Sequence, residues 1–361
     1  MKNMLKYLRC PNCHGNLTHF NSREKSTSDG LLICAACDSI FPITDGIPVL
    51  FKDSIRNPDF EIPLFEKYES KCPSELRKKI IAQKDKLMKS EFASSWEWDD
   101  VDYWEKHYET EYKKMVNGDE TFEDNLWRER VYQRKKEMAI LQKRNYFPEG
   151  IICEVGAGTA TYSKGILSVN SDRVYIALDM SLHALKIRRR LLSHSPSLYV
   201  LASIDNIPLK NECVAAMLLI GILHHSERKE KTLNDLKNHL VSNGVIYLDE
   251  VISRPSFLKH REIIKGVDVS LHEESINYSQ LIEILGWDGS IEYHVVFNTP
   301  FYRFSTLYLK RFMTRNMFFY KSIRAFDYLF RKLLGSFLPS FKAGEVSVIW
   351  RKTSATNPVA N

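Results

Sequence analysis

Four of the seven cysteines stand in two pairs whose spacing is typical of a metal site. Cys10 and Cys13 form the first pair, Cys34 and Cys37 form the second, and two residues separate the thiols within each pair. This spacing lets one tight turn present both sulfurs to a tetrahedral ion. Disulfides are the alternative, but they need an oxidising compartment, and no apolar run at the N-terminus resembles a signal peptide. The pattern predicts structural zinc in a closed four-sulfur site.

A glycine-containing segment followed by two acids forms a second group of residues with chemical potential. Gly156 and Gly158 follow a β-branched run, where glycine permits a tight turn close to a bound ligand. Asp179 ends the next predicted strand at a distance suited to binding both hydroxyls of a ribose. Asp205 follows the third predicted strand, within reach of an adenine amino group. A nicotinamide dehydrogenase would share this pattern, but it usually keeps a third glycine where Ala160 stands.

The order of these motifs resembles that of class I S-adenosylmethionine-dependent methyltransferases. The resemblance is clear over residues 130–255 and rests on residues 154–160, Asp179, residues 205–209, His224-His225 and residues 236–250. It implies a Rossmann-like seven-stranded α/β sheet whose last strand is inserted antiparallel between strands five and six. It also implies that Glu154, Gly156 and Gly158 line the methionine part of the cofactor, Asp179 the ribose, and Asp205 and Met180 the adenine.

Three residues are candidates for a general base, which an acceptor needs only if it is protonated at neutral pH. His224 and His225 follow the fourth predicted strand, at the sheet edge where ligands bind, and histidine titrates near neutrality. His225 is favoured because similar methyltransferases often keep a histidine there. Glu250, at the end of the fifth predicted strand, is the further candidate. A capping or backbone-bonding role is the structural alternative for either histidine.

Alternating strands and helices after residue 150 predict a parallel sheet covered on both faces. The predicted strands are residues 151–155, 174–179, 198–202, 213–220, 244–249, 291–298 and 345–351. Helices are predicted at 182–193 and 229–240, and Asn243-Gly244 is predicted as the turn into the fifth strand.

The chain divides into four predicted regions. Residues 1–52 form a zinc ribbon, whose run after the last cysteine pair resembles the small zinc-ribbon domain that activates or precedes many methyltransferases. Residues 53–145 form a helical region rich in aromatic side chains, some of which are expected to cap the ligand cleft, with plain packing as the alternative. Residues 146–352 form the methyltransferase domain, with a helical insertion at about 300–342, and residues 353–361 form a disordered tail.

The insertion contains a basic amphipathic stretch at residues 306–335, which could pack on the domain, form a homodimer or lie on an anionic membrane. The net charge of +6 permits an anionic partner without requiring one. A cytoplasmic protein is predicted, and contact with the inner face of the membrane stays open. We expect O-methylation of a small-molecule, glycan or lipid-linked acceptor by in-line transfer. The alternatives are an RNA methyltransferase, which recognises RNA or a partner through the zinc ribbon, and a binding protein without turnover.

Overall fold

The computed structural model describes residues 4–20, 29–89, 96–117, 125–159, 162–192, 196–226, 228–251, 276, 278–286, 288–297, 345–353 and a few residues between 318 and 329. The N-terminal region is an antiparallel sheet of four strands that are hydrogen-bonded in chain order: β1 (Leu17–Phe20), β2 (Gly30–Cys34), β3 (Ile40–Thr44) and β4 (Ile47–Pro48). Asp45 and Gly46 connect β3 to β4 with φ angles of 51° and 75°. Two positive φ angles are typical of a type I′ hairpin turn, which asparagine, aspartate and glycine favour.

A larger sheet has seven strands: β5 (Ile152–Val155), β6 (Tyr175–Asp179), β7 (Ser197–Leu201), β8 (Val214–Ile220), β9 (Leu240–Val251), β10 (Gly289–Phe297) and β11 (Glu345–Lys352). Their order across the sheet is β10-β11-β9-β8-β5-β6-β7. Strand β11 pairs antiparallel with both of its neighbours, and the other pairs are parallel. The last strand therefore lies between the fifth and the sixth, which confirms the predicted α/β methyltransferase topology.

Eight helices surround the two sheets in the described part of the chain. They are α1 (Pro58–Glu69), α2 (Ser74–Lys89), α3 (Trp96–Asn117), α4 (Asn125–Lys143), α5 (Lys164–Leu167), α6 (Leu182–Leu192), α7 (Lys229–His239) and α8 (Tyr278–Leu285). Helices α1 and α2 pack against the small sheet, where Phe65 and Ile80 join Leu31 and Ile40 in one apolar cluster. In contrast, α3 packs on α6 and α4 packs on α5. Helices α3 and α4 therefore pack on helices of the larger domain.

The zinc ribbon and the larger sheet share a continuous hydrophobic core. Val49 forms a parallel bridge to Leu201 on the outermost strand β7, and the Leu50 N–H donates to the Leu201 carbonyl at 2.8 Å. Leu8 forms an antiparallel bridge to Leu209, beyond the end of β7. The ribbon therefore covers the exposed edge of the large sheet, which is otherwise a site for unwanted pairing.

The predicted turn at Asn243-Gly244 is present within the bounds of β9, because a Cβ on Gly244 would lie 2.9 Å from the Val241 carbonyl oxygen and 3.0 Å from Cβ of Leu240. Strand β9 begins at Leu240, and Asn243 and Gly244 lie inside it rather than before it. The pairing with β8 shifts register between Val214 and Ala216, and Asn243 has a φ of 60°. Asparagine tolerates this left-handed conformation, so Asn243 forms part of a turn that precedes Val245, where the continuous pairing of β9 with both of its neighbours begins.

The predicted insertion at 300–342 and its basic stretch at 306–335 lie mostly outside the described residues, as does the tail beyond residue 353. In the described part of the chain, every helix is too short or too polar to cross a membrane.

Candidate active site

Close packing within the protein requires glycine in the turn after β5. Gly156 and Gly158 have φ angles of 61° and 49°, a region that L side chains rarely adopt. A Cβ on Gly156 would lie 2.2 Å from Cγ1 of Ile222, which follows β8. The turn after β5 and the turn after β8 are therefore in direct contact, and this contact brings the predicted cofactor residues next to the predicted bases.

Asp179, the last residue of β6, connects the glycine turn to the start of α6. Its Oδ2 accepts the Gly158 N–H at 2.7 Å, and its Oδ1 accepts the Ser181 N–H at 2.8 Å. Burial raises the pKa of Asp179 above its ordinary value, and the two backbone donors act against that rise. A carboxylate fixed beside a glycine turn fits a ribose, and the adjacent Met180 is half-buried. The cofactor roles of both residues stay predictions.

Asp205 lies in the loop between β7 and β8. Its Oδ1 accepts a hydrogen bond from the Ser226 hydroxyl at 2.6 Å and another from the Thr232 hydroxyl. These two donors hold the carboxylate in one orientation at the edge of the sheet. Its predicted contact with adenine is compatible with this position and stays a prediction.

The zinc ribbon holds the same loop from the other side. The Arg9 N–H donates to the Pro208 carbonyl at 3.0 Å, and the Asn206 Nδ2 donates to the Pro11 carbonyl at 3.2 Å. Arg9 and Pro11 flank Cys10, the first of the predicted zinc ligands. The position of the predicted adenine loop therefore depends on the ribbon segment that begins the metal site.

Glu154 forms a buried ion pair that the sequence analysis missed. Arg188 on α6 contacts Glu154, and the Tyr175 hydroxyl donates to Glu154 Oε2 at 3.1 Å. Both charged side chains are almost fully buried. Arg188 follows Leu185 and precedes Leu192 on the buried face of α6, and an arginine in an apolar register could have indicated an acidic partner. The prediction that Glu154 lines the methionine part of the cofactor stays untested.

The candidate bases lie together where β8 and β9 end. Nδ1 of His224 is 2.6 Å from Oε1 of Glu250, whose Oε2 accepts the Leu223 N–H at 2.8 Å. Glu250 is 1% exposed, and the ring centroids of His224 and His225 are 4.2 Å apart. The sequence favoured His225, whereas the structure pairs His224 with a buried acid. A carboxylate that accepts from Nδ1–H favours the tautomer in which Nε2 carries no proton.

One aromatic side chain of α3 reaches the glycine turn. The Tyr108 hydroxyl oxygen would lie 3.5 Å from a Cβ on Gly158, and the Tyr108 ring stacks on Trp104 with centroids 5.8 Å apart. Burial raises the pKa of Tyr108, and the negative charge of Asp179 raises it further. Part of the aromatic-rich helical region therefore covers the predicted cofactor side of the site.

The four cysteines of the ribbon form one cluster. Their sulfurs all lie within 4.8 Å of one another, with 3.4 Å between Cys13 and Cys34 and 3.6 Å between Cys10 and Cys37. These separations are too long for a disulfide bond of about 2.05 Å. Zinc bonds of about 2.3 Å in a tetrahedron would place sulfurs roughly 3.8 Å apart. The cluster fits the predicted structural zinc, and none of the four cysteines forms a disulfide.

Comparison with known families identifies two regions of the chain. Residues 153–248 match the family described as "Methyltransferase domain", and residues 2–46 match the family described as "Trm112p-like protein". The UPF0434 protein of Dechloromonas aromatica (strain RCB) is 38% identical over 53 residues, which are 15% of this chain and 81% of that protein. The UPF0434 protein of Methylobacillus flagellatus is 42% identical over 53 residues, which are 15% of this chain and 78% of that protein.

Solved structures resemble the chain more distantly. The BH2331 protein of Bacillus halodurans C-125 is 14% identical with a TM-score of 0.43, over 60% of this chain and 99% of that chain. Geranyl diphosphate methyltransferase in complex with S-adenosylmethionine is 11% identical with a TM-score of 0.41, over 61% of this chain and 85% of that chain. Similarities of this size carry no information about substrates or residue roles.

The first five strands of this sheet lie almost entirely in the region that matches the methyltransferase domain family. The protein is therefore an S-adenosylmethionine-dependent methyltransferase. Through its N-terminal segment the chain belongs to the family of the UPF0434 proteins, whose sequences it covers over most of their length. This segment contributes the four-cysteine site for structural zinc. The prediction of S-adenosylmethionine and structural zinc as cofactors is confirmed, whereas these features do not specify the methyl acceptor.

Proposed function

We propose that the enzyme methylates an oxygen atom of a small-molecule, glycan or lipid-linked acceptor, with His224 as the general base. The observation that carries this proposal is the contact between His224 and the buried carboxylate of Glu250. A hydroxyl keeps its proton at neutral pH, so an acceptor of this kind needs a base near the reacting atom. A histidine with a buried acidic partner meets this need.

The proposed chemistry divides between three residues. Bound S-adenosylmethionine supplies an electrophilic methyl group. His224 accepts the proton of the acceptor hydroxyl at Nε2, while its Nδ1–H is donated to Glu250. Glu250 stabilises the resulting imidazolium because water hardly screens a carboxylate that is 1% exposed. The Leu223 N–H binds the second carboxylate oxygen, so Glu250 acts as a positioning residue.

The contact between the two turns supports this assignment. Ile222 packs against Gly156 and lies two residues before His224 in the chain. The proposed base therefore stands next to the glycine turn that is predicted to border the methionine part of the cofactor. Orientation of the acceptor at such a junction lowers the barrier by holding the reacting atoms close together.

Transfer of a radiolabelled methyl group tests the acceptor class. The full chain is incubated with methyl-tritiated S-adenosylmethionine and separate cell fractions that contain small metabolites, extracted lipids and glycolipids, or deproteinised RNA. Labelled products that survive mild base as methyl ethers are expected in one of the first two fractions. Label only in RNA, or only on nitrogen or sulfur, would contradict the proposal.

An RNA acceptor is the second candidate, because residues 2–46 match the Trm112p-like family and such zinc ribbons accompany methyltransferases. The first 52 residues contain six basic and four acidic side chains, a weak excess for binding phosphates. Label in the RNA fraction, together with RNA binding that weakens steeply with salt, would favour this candidate.

We further propose that the basic stretch at 306–335 contacts the anionic surface on which a lipid-linked acceptor lies. In sequence it contains seven basic residues and one acidic residue. Full-length protein should pellet with phosphatidylserine-containing vesicles but not with phosphatidylcholine vesicles, and deletion of 306–335 should abolish pelleting. Pelleting that survives the deletion would contradict a membrane role for this stretch.

A further inference from the structure

Helix α3 brings a polar side chain to the cofactor side from outside the region that matches the methyltransferase domain family. That region covers residues 153–248, whereas α3 ends at Asn117. The Tyr108 hydroxyl oxygen would lie 3.5 Å from a Cβ on Gly158, so it stands against the backbone of the second glycine. The contact between Tyr108 and Gly158 therefore cannot be recognised from the glycine motif, which does not include Tyr108.

The neighbours of Tyr108 locate it on the ribose side of the predicted site. The Gly158 N–H is bound by Asp179 at 2.7 Å, and the charge of Asp179 acts on the Tyr108 hydroxyl. A tyrosine phenol is protonated at neutral pH, and burial and this charge raise its pKa further. A neutral hydroxyl can both donate and accept a hydrogen bond, as a ribose hydroxyl also can.

Glu105 fixes α3 in this position. Its Oε1 is 2.6 Å from Nδ1 of His183, and its Oε2 accepts a hydrogen bond from the Ser181 hydroxyl. Ser181 in turn donates its N–H to Asp179. Glu105 lies one helical turn before Tyr108, so the loop that holds the ribose acid also anchors the helix that carries the tyrosine.

We propose that Tyr108 is a cofactor-binding residue whose hydroxyl hydrogen-bonds the ribose of S-adenosylmethionine, and that Glu105 is its positioning residue. Helix α3 then forms a wall of the cofactor pocket, opposite Asp179. This inference requires the methyltransferase assignment only, and it is independent of the acceptor and of the role of His224.

Calorimetric titration of the full-length protein tests the hydroxyl directly, without turnover. S-adenosylhomocysteine and adenosine are titrated into the wild type, Tyr108→Phe and Tyr112→Phe. Tyr112 is the matched control, because it lies one turn further along α3 and contacts the ring of His183 at 5.6 Å between centroids. Tyr108→Phe should lower the affinity for both ligands about fivefold, which is the effect of losing one hydrogen bond. Tyr112→Phe should change neither affinity by more than about twofold.

Three results would overturn the proposal. Unchanged affinity of Tyr108→Phe for S-adenosylhomocysteine would exclude the hydrogen bond. A loss for S-adenosylhomocysteine but not for adenosine would assign the hydroxyl to the amino-acid end of the cofactor. Equal losses in Tyr108→Phe and Tyr112→Phe would assign the effect to helix packing. A wild type that binds neither ligand would instead contradict the cofactor class.

Discussion

The predicted cofactor side and the proposed acceptor side of the sheet edge hold their side chains by different means. On the cofactor side, Asp179 is bound by two backbone N–H groups, and Asp205 is bound by two hydroxyls next to the ribbon. On the acceptor side, one buried carboxylate, Glu250, orients one imidazole, His224. The backbone donors to Asp179 are present whatever the side chains are, whereas the pair of His224 and Glu250 depends on two residue types. This difference explains why the methyl donor is readable from a short motif and the acceptor is not.

Loss of zinc should have the largest effect, and it should disrupt the predicted cofactor side of the site. Structural zinc contributes about 10 kcal/mol or more to small zinc folds, so Cys10→Ser should unfold the ribbon and release the loop that carries Asp205. Affinity for S-adenosylhomocysteine should fall more than about tenfold, because that loop loses two hydrogen bonds to the ribbon. Zinc content and calorimetric titration measure both effects.

Cys213→Ser is the control for this variant, because Cys213 lies outside the zinc cluster and its thiol contacts the Lys210 carbonyl at 3.0 Å. It should keep its zinc and its ligand affinity. A zinc-free Cys10→Ser protein that binds S-adenosylhomocysteine as well as the wild type would show that the ribbon does not support the cofactor side.

Removal of the buried cation beneath the glycine turn should cost about 3–5 kcal/mol of the free energy of unfolding. Arg188→Met leaves the Glu154 carboxylate buried without its cation, which is the most unfavourable arrangement for a buried pair. Urea unfolding measures the change. The double variant Arg188→Met with Glu154→Leu should regain most of the loss, and a double variant as unstable as the single one would contradict an ionic origin.

Substitutions on the two sides should affect different properties, namely catalysis on one side and cofactor binding on the other. His224→Gln should lower kcat about 10²- to 10⁴-fold and leave the affinity for S-adenosylhomocysteine unchanged, since it removes the proposed base. Asp179→Asn should weaken that affinity about tenfold or more, since it removes a charge from the predicted ribose site. Steady-state kinetics and titration of both variants separate the steps.

The neighbouring His225→Gln serves as the control for His224→Gln and should lower kcat far less. An equal loss in both histidine variants would contradict the assignment of His224 as the base. A loss of cofactor affinity in His224→Gln would remove the distinction between the two sides.

The smallest effect concerns pH and lies away from the site. Burial, with the nearby charge of Arg9, lowers the pKa of His239 to about 4. An unfolded histidine titrates near 6.5, so between pH 6.5 and 4 the unfolded chain binds more protons than the folded chain. The contribution of His239 to the free energy of unfolding is therefore highest above pH 6.5. It decreases as the pH falls towards 4, and the loss from His239 is about 2 kcal/mol at pH 5.

Urea unfolding of the wild type and His239→Asn at pH 5 and pH 7 measures this term, and the variant should show a smaller difference between the two pH values. An equal difference in both proteins would assign the acid sensitivity elsewhere. The comparison also separates acid unfolding from any pH dependence of kcat that His224 contributes.

The order and bounds of the parallel strands could be predicted closely, because each is a short apolar run with its own turn signals. Strands β6 and β8, for example, begin one residue later than predicted and end where predicted. The apolar register of Arg188 could indicate an acidic partner, but the sequence does not identify Glu154 as that partner, nor does it indicate the contact of Glu105 with His183. These residues are 34 and 78 positions apart in the chain and meet only because α6 packs on the sheet and α3 packs on α6.

By itself the sequence determined the four metal ligands, the glycine turn and its acids, and thereby the class of enzyme. These features depend on residue types at fixed spacings within single turns or between consecutive strands. Only the tertiary structure decided that His224 contacts Glu250, that Arg188 neutralises Glu154, and that Tyr108 reaches Gly158. Such contacts depend on how helices and strands distant in sequence pack together, and the local residue pattern does not encode that geometry.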